Sequence, residues 1–131
     1  MVDLYSRWSY AEYHTTLSQT IATEVIRRGQ TYAGFHFTTV QADNGPEFAS
    51  YFEQTLKASG TTVRHSRVHR PNDNAHVERF NRTIQEECIG STNPFSEELY
   101  GKVVNYLAYY NEERLHLGLQ CKTPLEMLQR C

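Results

Sequence analysis

The sequence is poor in cysteine, contains no long apolar run and carries almost no net charge. Its three cysteines include no CxxC pair and are an odd number, which is typical of free thiols in a reducing compartment. No stretch approaches about 18 consecutive apolar residues, and residues 1–12 lack a basic region followed by an apolar core. We therefore expect no membrane-spanning helix, no secretory signal and a cytoplasmic location.

What the sequence does contain suits one folded domain. The chain has 131 residues, of which 39% are hydrophobic, and nine Tyr and six Phe are spread along it. This composition excludes a disordered tail, a collagen and a disulfide-rich mini-protein. The net charge of −2 argues against a histone-like polycation, although a local basic segment would suffice to contact nucleic acid. We predict a single α/β domain over residues 1–131, without repeats or linkers.

Hydrophobic periodicity predicts strands that alternate with helices. The predicted elements are two short strands within 2–13, a helix from Thr15 or Thr16 to about Tyr32 that ends at Gly34, a strand over 35–41, a helix up to Gly60, a strand over 61–68, a helix over 75–88, a long helix from Ser96 to Tyr110 and a short helix over 125–130. The expected core stripe of the first helix is Leu17, Ile21, Val25 and Arg28, widened by Ala22 and Ile26. That of the long helix is Leu99, Val103, Tyr106, Leu107 and Tyr110.

Asp43 follows a predicted strand and precedes the turn-forming residues Asn44, Gly45 and Pro46. Open α/β sheets place their functional sites at the carboxyl ends of strands, so Asp43 is a candidate site carboxylate. The same residue types are also common in ordinary turns. Both interpretations stay open on this pattern.

Glu78 lies on the predicted helix over 75–88, close to Arg79 and Asn81. Glu78, Arg82 and Gln85 fall on one helical face by their spacing. A carboxylate beside cations suits a site that holds a metal ion and a phosphate. A solvated helix face would have the same composition, so this alternative also stays open.

A basic segment over residues 64–82 is hidden by the mild net charge. Its cations are all arginines, which favour bidentate phosphate contacts, and they are Arg64, Arg67, Arg70, Arg79 and Arg82. The alternative is an exposed edge strand and loop kept soluble by charge. His65 and His69 have no nearby cysteine, so zinc is weakly supported.

Together, two carboxylates on separate elements and the basic segment between them indicate chemistry on phosphodiesters. Carboxylate oxygens prefer Mg²⁺ or Mn²⁺, and two such ions would clamp the attacking and leaving oxygens. The residues alone therefore give the hypothesis of hard-cation chemistry on phosphodiesters, with Asp43 and Glu78 as the carboxylates that bind the metal.

The ordered motifs of the chain resemble the catalytic core of retroviral-type integrases, in the version carried by bacterial insertion-sequence transposases. The resemblance covers nearly the whole chain and rests on residues 2–8 (VDLYSRW), 41–48 (QADNGPEF), 71–83 (PNDNAHVERFNRT), 110–116 (YNEERLH) and 122–126 (KTPLE). It implies a bacterial protein with an RNase H-like fold, a mixed β-sheet flanked by helices, and a magnesium-dependent polynucleotidyl transferase with an Asp-Asp-Glu triad.

Within that family's pattern, Asp43 matches the second aspartate and Glu78 the glutamate, with 34 residues between them. Asn81 and Arg82 match helix positions that face DNA. Asp3 matches a non-catalytic position, and the resemblance places the first aspartate on a first strand upstream of residue 2. We therefore expect a catalytic core that lacks its first strand, folds in integrase fashion, binds DNA weakly and is inactive as an isolated chain.

Loss of that strand would expose apolar surface, so a homodimer or higher oligomer is expected. The alternative function is a non-catalytic DNA-binding or dimerisation remnant of a transposase. A nuclease acting on RNA–DNA hybrids is a third interpretation, which the motifs around Asp43 and Glu78 disfavour.

Overall fold

The computed structural model describes residues 1–130, and these form two compact units. The central unit is His14–Asn74, and the terminal unit combines Met1–Tyr13 with the chain from Ala75 onward. The single-domain interpretation stays a prediction. No helix within residues 1–130 is both long and apolar enough to cross a bilayer. Cys88 and Cys121 are free thiols, as predicted, whereas Cys131 lies outside the described residues.

The central unit is built around a parallel pair of strands joined through a helix. Its elements are α1 (Gln19–Ala33), β1 (Thr39–Ala42), a 3₁₀ turn (Pro46–Phe48), α2 (Ser50–Ala58), β2 (Thr62–His65) and a second 3₁₀ turn (Pro71–Asn74). In the parallel ladder, Thr39 lies opposite Thr62 and Ala42 opposite His65. Parallel strands need a crossover connection, and α2 provides it while burying Phe52 and Leu56 completely.

The strands begin later than predicted because the backbone groups at their start bond to side chains and not to the neighbouring strand. The Phe37 N–H donates to the Gln30 side chain at 2.8 Å, and the Thr61 hydroxyl donates to the Phe37 carbonyl at 2.8 Å. Regular pairing therefore begins at Thr39. The regular sheet within residues 1–130 has two strands, and it is smaller than the mixed sheet expected.

The first helix begins later than predicted, and its expected stripe is buried only in part, at Ala22 and Ile26. Ser18 caps α1 by accepting a hydrogen bond from the Ile21 N–H at 3.2 Å, so the predicted start at Thr15 or Thr16 is wrong. Small residues lie closest to the core, and the buried positions are Ala22, Thr23, Ile26 and Gly29. Gly34 ends the helix in the left-handed region, with φ of 79°, as predicted.

The terminal unit packs helices around an aromatic core. Its elements are a hairpin reduced to one antiparallel bridge between Val2 and Ser9, α3 (Ala75–Ile84), a π-helical turn (Gln85–Ile89), α4 (Glu97–Glu112), a 3₁₀ turn (Leu117–Leu119) and α5 (Pro124–Leu128). The predicted stripe of α4 is confirmed, because all five of its residues are buried in one cluster with Phe80 and Ile84. Thr123 and Glu126 start α5 with a reciprocal capping box.

The predicted helix over 75–88 changes to π geometry at Gln85, which allows Glu87 to reach the far end of α4. The Arg114 guanidinium donates to both Glu87 carboxylate oxygens, at 3.0 and 2.7 Å, and the Tyr106 hydroxyl donates to the same carboxylate at 2.8 Å. These contacts lower the pKa of Glu87, with the Arg114 hydrogen bond as the main cause. The π turn thus fastens α3 to α4.

Asn111 fixes the N-terminal hairpin to α4. Its side-chain oxygen accepts from the Ser9 N–H at 2.8 Å, and its amide donates to the Ser9 carbonyl at 2.8 Å. Both residues are buried. The Asn111 side chain therefore makes the two hydrogen bonds that a neighbouring strand would otherwise make with the backbone of Ser9.

Candidate active site

Asp43 stands immediately after β1, at the carboxyl end of the strand, and its side chain is exposed. One carboxylate oxygen accepts a hydrogen bond from the Gly45 N–H at 2.8 Å, which fixes the turn that leaves the strand. The other oxygen has no hydrogen bond within residues 1–130. The turn interpretation and the site interpretation are therefore compatible, since each uses a different oxygen.

Gly45 leaves an open space between two carboxylates. A Cβ atom at this position would lie 2.9 Å from an Asp43 carboxylate oxygen and 2.7 Å from a Glu47 carboxylate oxygen. A side chain here would therefore displace one of them. Sequence reasoning missed Glu47, although its place in the turn two residues after Gly45 is a usable signal. The donor set is made of hard carboxylate oxygens, which fits Mg²⁺ or Mn²⁺.

His65 braces the backbone of Asp43. Its Nδ1 lies 3.1 Å from the Asp43 carbonyl oxygen, and its Nε2 contacts the Glu53 carboxylate. The hydrogen bond to Asp43 raises the pKa of His65, and the Glu53 carboxylate raises it further. No group of three or more His, Cys, Asp or Glu side chains within residues 1–130 is arranged to hold a metal ion.

Polar side chains hold the loop after β2 against the turn after β1. Asn44 donates to the Ser66 carbonyl at 3.0 Å, and Gln41 donates to the Asp73 carbonyl at 3.0 Å. The buried Ser66 hydroxyl donates to the Asn74 side chain at 2.7 Å. The central unit therefore brings Asp43 together with the loop that begins the basic segment.

The arginines of this loop differ in their partners. The Arg67 guanidinium forms a bidentate ion pair with the Asp73 carboxylate, at 2.9 and 3.1 Å. The backbone N–H of Arg67 donates to the same carboxylate at 2.9 Å. Arg67 lowers the pKa of Asp73 to about 2, mainly through these hydrogen bonds. Arg64 and Arg70 are exposed and form no ion pair within the described chain. Arg67 thus shapes the loop, and its role in binding DNA stays a prediction.

Glu78 lies in the first turn of α3, in the terminal unit. Its side chain is exposed and makes no hydrogen bond or ion pair within residues 1–130. The positive end of the helix dipole favours a carboxylate at this place. Arg79, Asn81 and Arg82 are exposed on the same helix, and Arg82 lies one turn after Glu78.

Gln85 begins the π turn that follows α3, and its side chain donates to the Gly90 carbonyl at 3.2 Å. The regular α-helix ends at Ile84, and a shared face of Glu78, Arg82 and Gln85 stays a prediction. Asp43 and Glu78 fall in different units, and their joint action stays a prediction.

The integrase core domain family matches residues 59–124, which is half of the chain and includes Glu78. The transposase for insertion sequence element IS904 of Lactococcus lactis subsp. lactis (strain IL1403) is 33% identical over 88 residues, covering 65% of this chain and 35% of that protein. The putative transposase InsK for insertion sequence element IS150 of Escherichia coli (strain K12) is 38% identical over 77 residues, covering 57% of this chain and 27% of that protein. The chain thus spans about a third of the length of these relatives.

Solved structures confirm the fold class. The catalytic core domain of BIV integrase has a TM-score of 0.75 at 22% identity, covering 98% of this chain and 83% of that one. The HTLV-2 integrase catalytic core domain in complex with magnesium (trimeric form) has a TM-score of 0.74 at 15% identity, covering 96% and 80%. Because the sequence match and the RNase H-like fold agree, this chain belongs to the integrase core domain family.

Proposed function

We propose that this chain forms part of the catalytic core of a transposase, which carries out metal-dependent cleavage and strand transfer of DNA phosphodiesters during DNA integration and transposition. The observation that carries the proposal is Glu78, an exposed carboxylate without a partner in the described chain, inside the region that matches the family. A carboxylate that only stabilised the fold would be expected to pair with one of the nearby arginines.

Asp43 and Glu78 would hold the metal, with Glu47 beside Asp43, because their carboxylate oxygens suit a hard divalent cation. When bound, Mg²⁺ or Mn²⁺ would polarise a phosphodiester and activate the attacking oxygen. The HTLV-2 integrase core is described in complex with magnesium, which supports the choice of cation. Gly45 keeps the space beside Asp43 open, and His65 holds the Asp43 backbone in place.

The arginines of the basic segment would hold the DNA backbone. Arg64, Arg70, Arg79 and Arg82 are exposed and form no ion pair within residues 1–130. Phosphate is the natural partner of such groups, because two N–H donors match two phosphate oxygens. Asn81 adds an amide donor on the same helix.

Replacing Arg64, Arg70 and Arg82 together with alanine should weaken DNA binding and flatten its dependence on salt. Each phosphate contact contributes about 0.9 to the slope of log affinity against log salt, so the slope should fall by about 2 to 3. Fluorescence anisotropy of a labelled duplex at several salt concentrations measures this.

The matched control combines Arg27→Ala, Lys57→Ala and Lys102→Ala, which remove the same charge outside the basic segment. This control should keep the slope of the unmodified chain. Equal slopes in both variants would refute the assignment of these arginines, and an unmodified chain that binds no DNA would refute the proposed function.

We also propose that the chain self-associates through the exposed side of α4. This exposed side is the observation that favours the second candidate function, a dimerisation module. Tyr100 is 79% exposed and Val104 lies one turn after it, while Phe95 just before the helix is 80% exposed. The HTLV-2 integrase core is described in trimeric and dimeric forms, which supports association. Apolar surface of this kind is typical of interfaces.

Replacing Tyr100 with serine should shift the chain toward the monomer in light scattering at high concentration, because the largest exposed ring of α4 is removed. Tyr51→Ser, which removes an exposed tyrosine of α2, should leave the molar mass unchanged. A monomeric unmodified chain would contradict self-association without affecting the catalytic proposal.

A further inference from the structure

A cavity of about 270 Å³ opens in the terminal unit between the turn of the N-terminal hairpin and the segment before and within α5. Its lining is basic, with Arg7 from the hairpin and Lys122 and Arg130 from the C-terminal segment. Within residues 1–130, no carboxylate lines it. None of these three residues belongs to the basic segment, and the resemblance to integrases gives them no role.

The three cations have no carboxylate paired with them in the described part of the chain. Lys122 and Arg130 form no ion pair within residues 1–130, and Arg7 donates one N–H to the Leu4 carbonyl, which leaves the other donors of its guanidinium available. Like charges that share a cavity repel one another, so an anion that enters is stabilised by all three. The chemistry of the cavity therefore selects an anionic ligand.

The backbone around the cavity is held in an uncommon conformation. Arg7, Gln120 and Cys121 have φ of 62°, 56° and 59°, and they are three of the four non-glycine residues with positive φ within residues 1–130. Such conformations persist only where the surroundings fix them, and they concentrate at binding and catalytic sites.

Specific contacts fix both walls of the cavity. In the hairpin, the Asp3 carboxylate accepts from the Ser6 N–H at 2.8 Å and from the Ser6 hydroxyl at 2.7 Å. In the C-terminal segment, the His116 N–H donates to the Lys122 carbonyl at 3.1 Å. The cations thus project from rigid turns, which lowers the entropy lost on binding.

An exposed aromatic ring accompanies the cations of the cavity. Tyr5, which is 57% exposed, forms part of the rim of the cavity. An exposed ring beside cations is a feature of surfaces that follow a nucleic-acid strand, because a base or sugar packs on the ring.

We infer that this cavity, lined by Arg7, Lys122 and Arg130, is a second phosphate-binding site that takes a backbone phosphate of a DNA strand. The inference rests on the proposed function, because it requires DNA as the ligand of the chain. It adds residues of the hairpin and the C-terminal segment to the proposed DNA-binding surface.

The test compares Lys122→Ala/Arg130→Ala with the unmodified chain in DNA binding by fluorescence anisotropy over a salt series. Because one phosphate contact is lost, the slope of log affinity against log salt should fall by about 1, and affinity at low salt should fall about tenfold. Lys57→Ala/Lys102→Ala removes the same charge and should keep the slope. Lys122→Arg retains the charge and should keep the slope as well, with circular dichroism verifying that each variant is folded.

The outcomes separate the two proposals. An unmodified chain that binds no DNA refutes both the cavity and the proposed function. An unmodified chain that binds DNA with a slope unchanged by Lys122→Ala/Arg130→Ala refutes the cavity alone. If Lys122→Ala/Arg130→Ala is unfolded, the salt slope of Arg130→Gln decides in its place, and an unchanged slope again refutes the cavity.

Discussion

Replacing Glu78 with glutamine should lower the affinity of the chain for Mn²⁺ by at least about 100-fold, because loss of a direct ligand exceeds the 10- to 100-fold effect of altered supporting residues. The amide keeps the size of the side chain and removes only its charge. Isothermal titration calorimetry measures the affinity. Asp43→Asn should have an effect of the same order, since it removes the other proposed ligand.

The matched control for this experiment is Glu86→Gln. Glu86 is also an exposed glutamate near α3, in the π turn. Its replacement should leave Mn²⁺ affinity unchanged, so an equal loss in both variants would indicate diffuse attraction of the cation. Glu47→Gln should have a smaller effect than Asp43→Asn if Glu47 only assists Asp43.

The same variants separate a catalytic core from a DNA-binding remnant. In a catalytic core, Mn²⁺ should tighten DNA binding by the unmodified chain, since metal and DNA bind at one place and their affinities are linked. Glu78→Gln should abolish that gain. A remnant would bind DNA equally with and without Mn²⁺, and any nicking of DNA that survives Asp43→Asn or Glu78→Gln would refute their catalytic assignment.

Replacing Asn111 with alanine should lower the free energy of unfolding by about 3 kcal/mol. Two buried backbone groups of Ser9 would lose their partners, and each unsatisfied group costs about 1 to 3 kcal/mol. Urea denaturation followed by circular dichroism measures the change. The hairpin that carries Arg7 should be the first part to loosen, which amide hydrogen exchange would detect.

Asn105→Ala is the control for this prediction, because Asn105 lies on the same helix with its side chain exposed. Its replacement should leave stability nearly unchanged, or raise it slightly through the higher helix propensity of alanine. Asn111→Asp keeps the acceptor and loses the donor, so it should remain destabilising. Equal stability of Asn111→Ala and Asn105→Ala would show that the hairpin is held by other contacts.

Local patterns predicted the elements that depend on neighbouring residues. The stripe of α4 follows from apolar residues at helical spacing, and its burial is confirmed. Gly34 ends α1 because only a residue that tolerates positive φ fits there. The stripe expected for α1 is buried only in part, because Ala22 and Ile26 are buried whereas Leu17 is exposed, and Thr23 and Gly29 are buried although the sequence pattern did not indicate them.

Contacts between distant residues could not be predicted in this way. In the π turn, the Glu87 carboxylate accepts hydrogen bonds from Arg114 and Tyr106, which lie 27 and 19 residues away along the chain. His65, which contacts the Asp43 carbonyl, also contacts the carboxylate of Glu53, and Glu53 lies on a different element. Such pairs leave no periodic trace in the sequence, since each member alone resembles an ordinary surface residue.

The candidate carboxylates, the family and most helices could be predicted from the sequence, because motif residues and periodic apolar positions are local properties. The pairing of Arg67 with Asp73 and the cavity that Arg7 shares with Lys122 and Arg130 are visible only in the three-dimensional structure. The physical reason is that charges act through space. Whether a cation is neutralised, exposed or grouped with others depends on which distant segment the fold places beside it.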